Sequence, residues 1–170
     1  IAAQLGLTTV RSTRKPTEDL EAYQYYVQGR YHLYAATPVG LSIAKQCFEK
    51  AVAIDPQFAL AYDALAEVYW LRGFLGFAPP LDMCTNGMFY VLRALEIDST
   101  LAETHALAGM YRKELDYSWS EVRREMSLAR QQNPASPIVR TRYASGELLP
   151  LGRIAEAITE LELASATDPM

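Results

Sequence analysis

Small and large apolar residues recur at steps of three and four along most of this chain. Residues 61–69 (AYDALAEVY) place Tyr62, Leu65, Ala66 and Tyr69 at that spacing, and residues 103–111 (ETHALAGMY) repeat it. This period predicts amphipathic α-helices, because side chains three or four positions apart share one face of a helix. The stretches between the periodic segments are short and rich in proline, glycine, serine and aspartate, which is typical of turns between helices.

An alanine frame repeats four times along the chain. Ala51, Ala94, Ala129 and Ala164 are separated by 43, 35 and 35 residues, and each follows a larger apolar residue three positions earlier. Three of the four are followed by Asp-Pro or Asn-Pro, and proline disfavours helix both in itself and in the residue before it. Each copy is therefore predicted to hold two antiparallel helices, about 34 residues plus insertions.

The small residues of this frame indicate where helices approach each other closely. Ala66 and Ala108 are expected at the seams of the first helices, and the four frame alanines at those of the second helices. A large side chain at such a seam would overpack it, at a cost of about 1–3 kcal/mol.

This pattern resembles the tetratricopeptide repeat. The residues that match the motif are Tyr25, Gly29, Ala44, Phe48, Ala51 and Pro56 in the first copy, Tyr62, Leu65, Ala66, Tyr69, Gly87, Val91 and Ala94 in the second, and Tyr143, Ala144, Gly152, Ala157, Leu161, Ala164 and Pro169 in the fourth. The resemblance implies an all-α fold, in which antiparallel helix pairs stack as a right-handed α-solenoid. It places four units at about 17–56, 57–99, 100–134 and 135–169, after an upstream helix end and linker at 1–16.

The first copy carries a finer resemblance. Residues 16–56, which include AYQYYVQGRYHL, look like the repeat region of large bacterial signalling proteins. In those proteins the repeats follow a winged-helix DNA-binding domain, an adenylate cyclase domain or a serine/threonine kinase domain. This resemblance implies a cytoplasmic regulatory module that is part of a longer protein.

Residue patterns that carry catalysis are missing from the sequence. It contains no P-loop, HExxH, GxSxG or GxGxxG motif, and its only histidines, His32 and His105, have no ligand-spaced partner. We expect no enzyme, no cofactor and no metal. The net charge of −4 disfavours contact with nucleic acid, and no apolar run approaches the roughly 20 residues of a membrane span. Cys47 and Cys84 are expected to be free, buried thiols in a reducing cytosol.

The first helices of the units are expected to line a groove that binds a protein or peptide. The candidate residues are Tyr23, Tyr26, Arg30 and Tyr34 in the first unit, Asp63, Glu67 and Trp70 in the second, and His105, Arg112 and Lys113 in the third. Aromatic and arginine side chains are common anchors of recognition. Packing alone also explains a tyrosine stripe, and the register of the third unit is defined only to about one residue. The mixed charge favours a bipolar or short helical ligand.

The pattern does not decide the role of two further apolar segments. Phe74, Leu75 and Phe77 are expected in a loop, where they either fold back over the second unit or contact a partner. In the last helix, Ile154, Ile158 and Leu161 form a stripe that further repeats or a second copy of the chain would cover. The alternatives to peptide binding are therefore self-association and, as a third class, a small-molecule sensor.

Local signals predict where three helices begin. Thr17 is expected as the N-cap of the first helix, and Thr37 as the N-cap of the second, with Pro38 in its first turn. Residues 118–121 (SWSE) have the spacing of a capping box, which would begin another helix.

Overall fold

The computed structural model describes residues 17–167, and that part of the chain is all-α. The expectations for residues 1–16 and for Asp168-Pro169 lie outside it. The helices are α1 (Leu20–Tyr34), α2 (Pro38–Ile54), α3 (Ala59–Phe74), α4 (Pro80–Ile97), α5 (Ala102–Asp116), α6 (Trp119–Gln132), α7 (Pro137–Tyr143), a π-helical turn (Ala144–Leu148) and α8 (Ile154–Thr167).

The start of α1 differs from the sequence expectation. Asp19, rather than Thr17, is the N-cap, and its carboxylate accepts the backbone N–H of Ala22 at 2.9 Å. The hydroxyl of Thr17 instead donates to Asp55 at 2.5 Å, so it ties the segment before α1 to the end of α2. Aspartate therefore satisfies the free N–H groups of α1 and also places a negative charge at the positive end of the helix.

The other two helix starts are placed as expected, but only one of them is capped. Thr37 accepts the N–H of Gly40 at 3.0 Å, and Pro38 opens α2, which confirms that prediction. Ser118 precedes α6, yet its side chain makes no capping bond and lies 3.4 Å from the hydroxyl of Ser120. The capping box predicted there is therefore wrong in its hydrogen bonds.

Successive helices pack mainly as pairs. The most extensive contacts join α1 to α2, α3 to α4, and α5 to α6, while α8 packs on α7 and on the π turn. Ala51, Ala94 and Ala129 are fully buried on α2, α4 and α6. Close approach also requires glycine at position 29, because a Cβ there would lie 2.5 Å from the ring of Phe48. Small residues therefore set the spacing within the pairs.

The core runs through the described residues as four adjoining groups of buried apolar side chains. Phe48, Leu65 and Val68 join α2 to α3, and Leu107 and Tyr111 of α5 pack against α3 and α4. Such a row of local cores is expected where each helix buries one face on the preceding pair and another on the next. Cys47 and Cys84 are buried and unpaired, as expected, and burial raises the pKa of both thiols.

The π turn interrupts the helix that the sequence predicts to be continuous. The Leu149 N–H donates to the Ala144 carbonyl at 2.9 Å, five residues earlier, and Gly146 lies against Met110 and Met126. A Cβ at Gly146 would come within 2.6 Å of the Met110 sulfur. The extra residue in this turn lets the backbone approach the methionines while Leu148 stays buried.

Among residues 17–167, no helix has the combination of length and apolar character that crossing a membrane requires.

Candidate functional site

Glu67 of α3 lies at the centre of a cluster of charges that connects three helices. One carboxylate oxygen is 3.8 Å from the guanidinium of Arg30 on α1, and the other accepts a hydrogen bond from Arg142 on α7 at 3.2 Å. Arg142 also donates to the backbone carbonyl of Glu103 on α5 at 2.9 Å. Side chains of α1, α3 and α7 and the backbone of α5 therefore meet on one surface, which we call the shared face.

Asp63 lies one turn before Glu67 and belongs to the same cluster. It is 9% exposed, and its carboxylate accepts a hydrogen bond from the hydroxyl of Thr104 at 2.8 Å. Burial and the neighbouring charge of Glu67 raise the pKa of Asp63 to about 6, against the opposing effects of Arg142, Thr104 and Arg30. A carboxylate this deeply buried is more stable in its protonated form than it would be in water.

Arg30 connects this cluster to an exposed aromatic side chain. Its guanidinium donates to the hydroxyl of Tyr34 at 3.1 Å and lies 5.4 Å from the centre of that ring. Tyr34 is 78% exposed, and Tyr23 is also exposed at the other end of α1. Both tyrosines are therefore exposed to solvent, and their role in ligand binding stays a prediction.

Tyr26 is a packing residue, which is the alternative that its spacing also allowed. Its ring lies 5.8 Å from the ring of Phe48 and 5.0 Å from that of Phe58. Burial is the main reason why its pKa is raised. Its ring therefore joins α1 to the core, while the charges of Arg30, Asp63 and Glu67 act on its hydroxyl, so a role of Tyr26 in the groove stays a prediction.

Trp70 and Phe74 extend the shared face along α3. The ring of Trp70 meets Tyr111 edge-on at 5.3 Å and stacks on Phe74 at 6.5 Å. Phe74, which the sequence placed in a loop, belongs to the last turn of α3 and is 72% exposed. The two surfaces predicted from the sequence, the groove and the insertion, therefore adjoin at this stacked pair.

His105 does not lie on the shared face. Its Nδ1 is 2.6 Å from the carboxylate of Glu125 on α6, and its Nε2 is 3.0 Å from the Ser99 carbonyl. Burial lowers its pKa, but the hydrogen bonds to Glu125 and Ser99 outweigh that effect, so the net direction is upward. The groove prediction for His105 is corrected to an internal pair between helices, and Thr104 takes the predicted place.

Arg112 and Lys113 pair with carboxylates of their own helix. Arg112 is 3.8 Å from Asp116, and Lys113 is 3.1 Å from Glu114. Neither shares an ion pair with Glu67 within residues 17–167, so the structure does not join them to the central cluster.

Sequence reasoning missed Arg142 and Thr104. Both donate hydrogen bonds to acidic residues of the second unit, Arg142 to Glu67 and Thr104 to Asp63. The available signal was charge, because two carboxylates predicted on one helical stripe require cations or hydroxyls nearby once they are buried. Among the described side chains, no group of three or more His, Cys, Asp or Glu residues is arranged to hold a metal ion.

Comparison with models of known protein families finds none that matches this chain, and comparison with curated proteins finds no significant match. The function therefore has to be inferred from the residues of the site.

Proposed function

We propose that this chain is a non-catalytic, tetratricopeptide-type interaction module that binds a protein or peptide on the shared face. Its helix pairs would stack as a right-handed α-solenoid, with α1, α3, α5 and α7 on the concave side. The observation that carries the proposal is the reach of Arg142, which extends from α7 past α5 to Glu67 on α3. A contact of this kind is expected where the first helices of stacked pairs line a concave surface, and a concave surface can enclose a segment of chain.

The charges and rings of this face specify the kind of ligand. The acidic groups Asp63 and Glu67 lie beside the basic groups Arg30 and Arg142, while Tyr34 and the Trp70–Phe74 pair are exposed near them. A short helical or extended segment that carries positive and negative charges and an apolar side chain would suit this face. Its charges would form ion pairs with the acidic and basic groups of the cluster, and its apolar side chain would pack on the aromatic rings. Exposed aromatics with two rotatable bonds are efficient anchors for such a segment.

Selection from a random peptide library on the immobilised 170-residue chain tests the proposal. The enriched peptides would then be titrated by fluorescence anisotropy. Tyr34→Ser and Phe74→Ser are expected to weaken binding about tenfold or more, since each removes an exposed ring without disturbing the core. The matched control is Phe89→Ser, which removes an exposed ring from α4, outside the shared face. Equal loss in all three variants, or no enriched peptide, would contradict the assignment.

From the resemblance of residues 16–56 we propose that this module is part of a larger bacterial regulatory protein in the cytoplasm. Reading the gene on both sides of this segment tests that placement. A neighbouring winged-helix, cyclase or kinase domain would support it, whereas further repeats alone would leave a free-standing adaptor.

Self-association is the second candidate function, and the surface of α8 favours it. Ile154, Ile158 and Leu161 are exposed along this helix, at spacings that place them on neighbouring turns. An apolar stripe of this kind is more often covered than left in water. On this view a second copy of the chain covers it, and Ile158→Glu is expected to convert a dimer to a monomer in light scattering. A wild-type monomer at high micromolar concentration would exclude this candidate.

A further inference from the structure

A polar cleft lies between α6 and the π turn, and none of its lining residues belongs to the shared face. Its volume is about 390 Å³, at the lower end of the range for small-molecule sites. The side chains that line it are Arg123, Ser127, Arg130, Gln131, Tyr143 and Glu147. The first four follow one face of α6, and the last two come from the end of α7 and the π turn.

Glu147 is the unusual member of this lining. It is only 6% exposed and forms no ion pair with a residue in the described part of the chain. Its carboxylate oxygens are not among the buried polar atoms that lack a partner, so the cleft that Glu147 lines reaches them. The irregular turn Ala144–Leu148 holds Glu147 in this position, and π turns often occur at functional sites. Burial raises the pKa of Glu147, while the charges of Arg153, Arg123 and Arg130 act in the opposite direction.

Two guanidinium groups complete the charge pattern. Arg130 lies over the ring of Tyr143 at 4.2 Å, and its nearest carboxylate, Glu160, is 3.8 Å away and already bonded by Arg140 at 2.6 Å. Arg123 is exposed and makes no ion pair with any residue from 17 to 167. Seven residues separate the two arginines, which corresponds to about 10 Å along a helix. This spacing allows each guanidinium group to hold a separate anionic group.

We propose that this cleft binds an acidic amino acid. In this complex the carboxylate of Glu147 accepts hydrogen bonds from the ammonium group of the ligand, and the guanidinium groups of Arg123 and Arg130 bind its two carboxylates. The ligand carries one cation and two anions, which mirrors the one anion and two cations of the site. Arginine is well suited to this role, because its planar guanidinium donates two parallel hydrogen bonds to a carboxylate. The proposal is independent of peptide binding, since the cleft lies on α6 and the π turn and not on the shared face.

Calorimetric titration of the 170-residue chain with L-glutamate and L-aspartate tests the site. One equivalent is expected to bind, with a concentration-dependent rise in melting temperature. Glutarate, which lacks the ammonium group, is expected to bind at least tenfold more weakly. Inorganic phosphate is expected not to compete. No heat at millimolar amino acid, equal binding of glutarate, or competition by phosphate would each overturn the proposal.

Three variants separate a binding role from a structural one. Glu147→Gln is expected to weaken glutamate binding at least tenfold, yet to leave the melting temperature of the free chain unchanged or higher, because it removes a buried charge. Arg123→Gln changes only an exposed side chain and should weaken binding similarly, so the test survives if the first variant misfolds. Arg93→Gln makes the same charge change on α4 and should leave affinity within twofold. Unchanged affinity in Arg123→Gln, or a lower melting temperature with unchanged affinity in Glu147→Gln, would contradict the proposal.

Discussion

Gly87→Ala is expected to lower the free energy of unfolding by about 3 kcal/mol, the upper end of the range for overpacking a core. A Cβ at this position would overlap the hydroxyl of Tyr111 and lie 2.7 Å from Cε1 of its ring. The ring cannot move aside freely, because its hydroxyl donates to the Ala66 carbonyl at 2.7 Å. Glycine on α4 therefore leaves the space through which Tyr111 of α5 reaches the backbone of α3. Urea unfolding followed by circular dichroism measures the loss.

A matched control and a double mutant isolate the cause. In Gly109→Ala, also within a helix, the new Cβ comes closer than 3.4 Å only to the terminal methyl of Met126, at 2.9 Å, and lies 3.4 Å and 3.5 Å from its Cγ and Sδ. This flexible group can shift, and alanine favours helix by about 1 kcal/mol over glycine, so little net loss is expected. In a Tyr111→Leu background the cost of Gly87→Ala should fall to near zero. Additive effects of the two substitutions would show that the steric explanation is wrong.

Asp63→Asn is expected to stabilise the protein by about 2 kcal/mol above pH 7. The pKa of Asp63 rises from 3.8 to about 6 in the folded state, a shift that corresponds to about 3 kcal/mol at most. Asparagine keeps an oxygen that can accept the Thr104 hydrogen bond but carries no charge, although its buried amide N–H groups reduce the gain. Thermal unfolding at a series of pH values measures the difference.

The sign of the pH dependence follows from the direction of the shift. Between about pH 4 and 6 the folded state holds the Asp63 proton while the unfolded state has released it, so stability falls as the pH rises. His105 acts in the same direction, because its folded pKa is also raised and its stabilising charge is lost as the pH rises. Asp63→Asn should therefore remove the fall in stability between about pH 4 and 6, and the fall that is due to His105 should remain.

The control for this prediction is an exposed aspartate. Asp116 is 3.8 Å from Arg112 on the surface of α5, and Asp116→Asn is expected to change stability by under about 0.5 kcal/mol. A wild-type protein whose stability rises steadily from pH 4 to 7 would refute the assigned state of Asp63.

Some features with a local cause could be predicted from the sequence, although the caps of α1 and α6 were not, and features set by distant contacts could not. The Thr37-Pro38 start of α2 was predictable, because one turn of chain contains the whole interaction. The groove position of the third unit was assigned to His105, whereas Thr104 is the residue that contacts Asp63, since one residue of register turns a side chain by about 100° around a helix. The pair of Arg142 with Glu67 joins residues 75 apart and depends on how α3, α5 and α7 pack against one another. The π turn arises from the fit of Gly146 against two methionines on other helices.

The bond from Arg142 to Glu67 also has a consequence for cooperativity. In a row of helix pairs held only by adjacent contacts, each end can open almost independently of the middle. Here α7 is tied to α3 as well as to its neighbour α5, so it cannot separate without leaving Glu67, a half-buried charge of the second unit, with fewer partners. Fluctuations at the end that contains α7 and α8 are therefore coupled to the centre of the protein, and anything that binds at Glu67 acts on both.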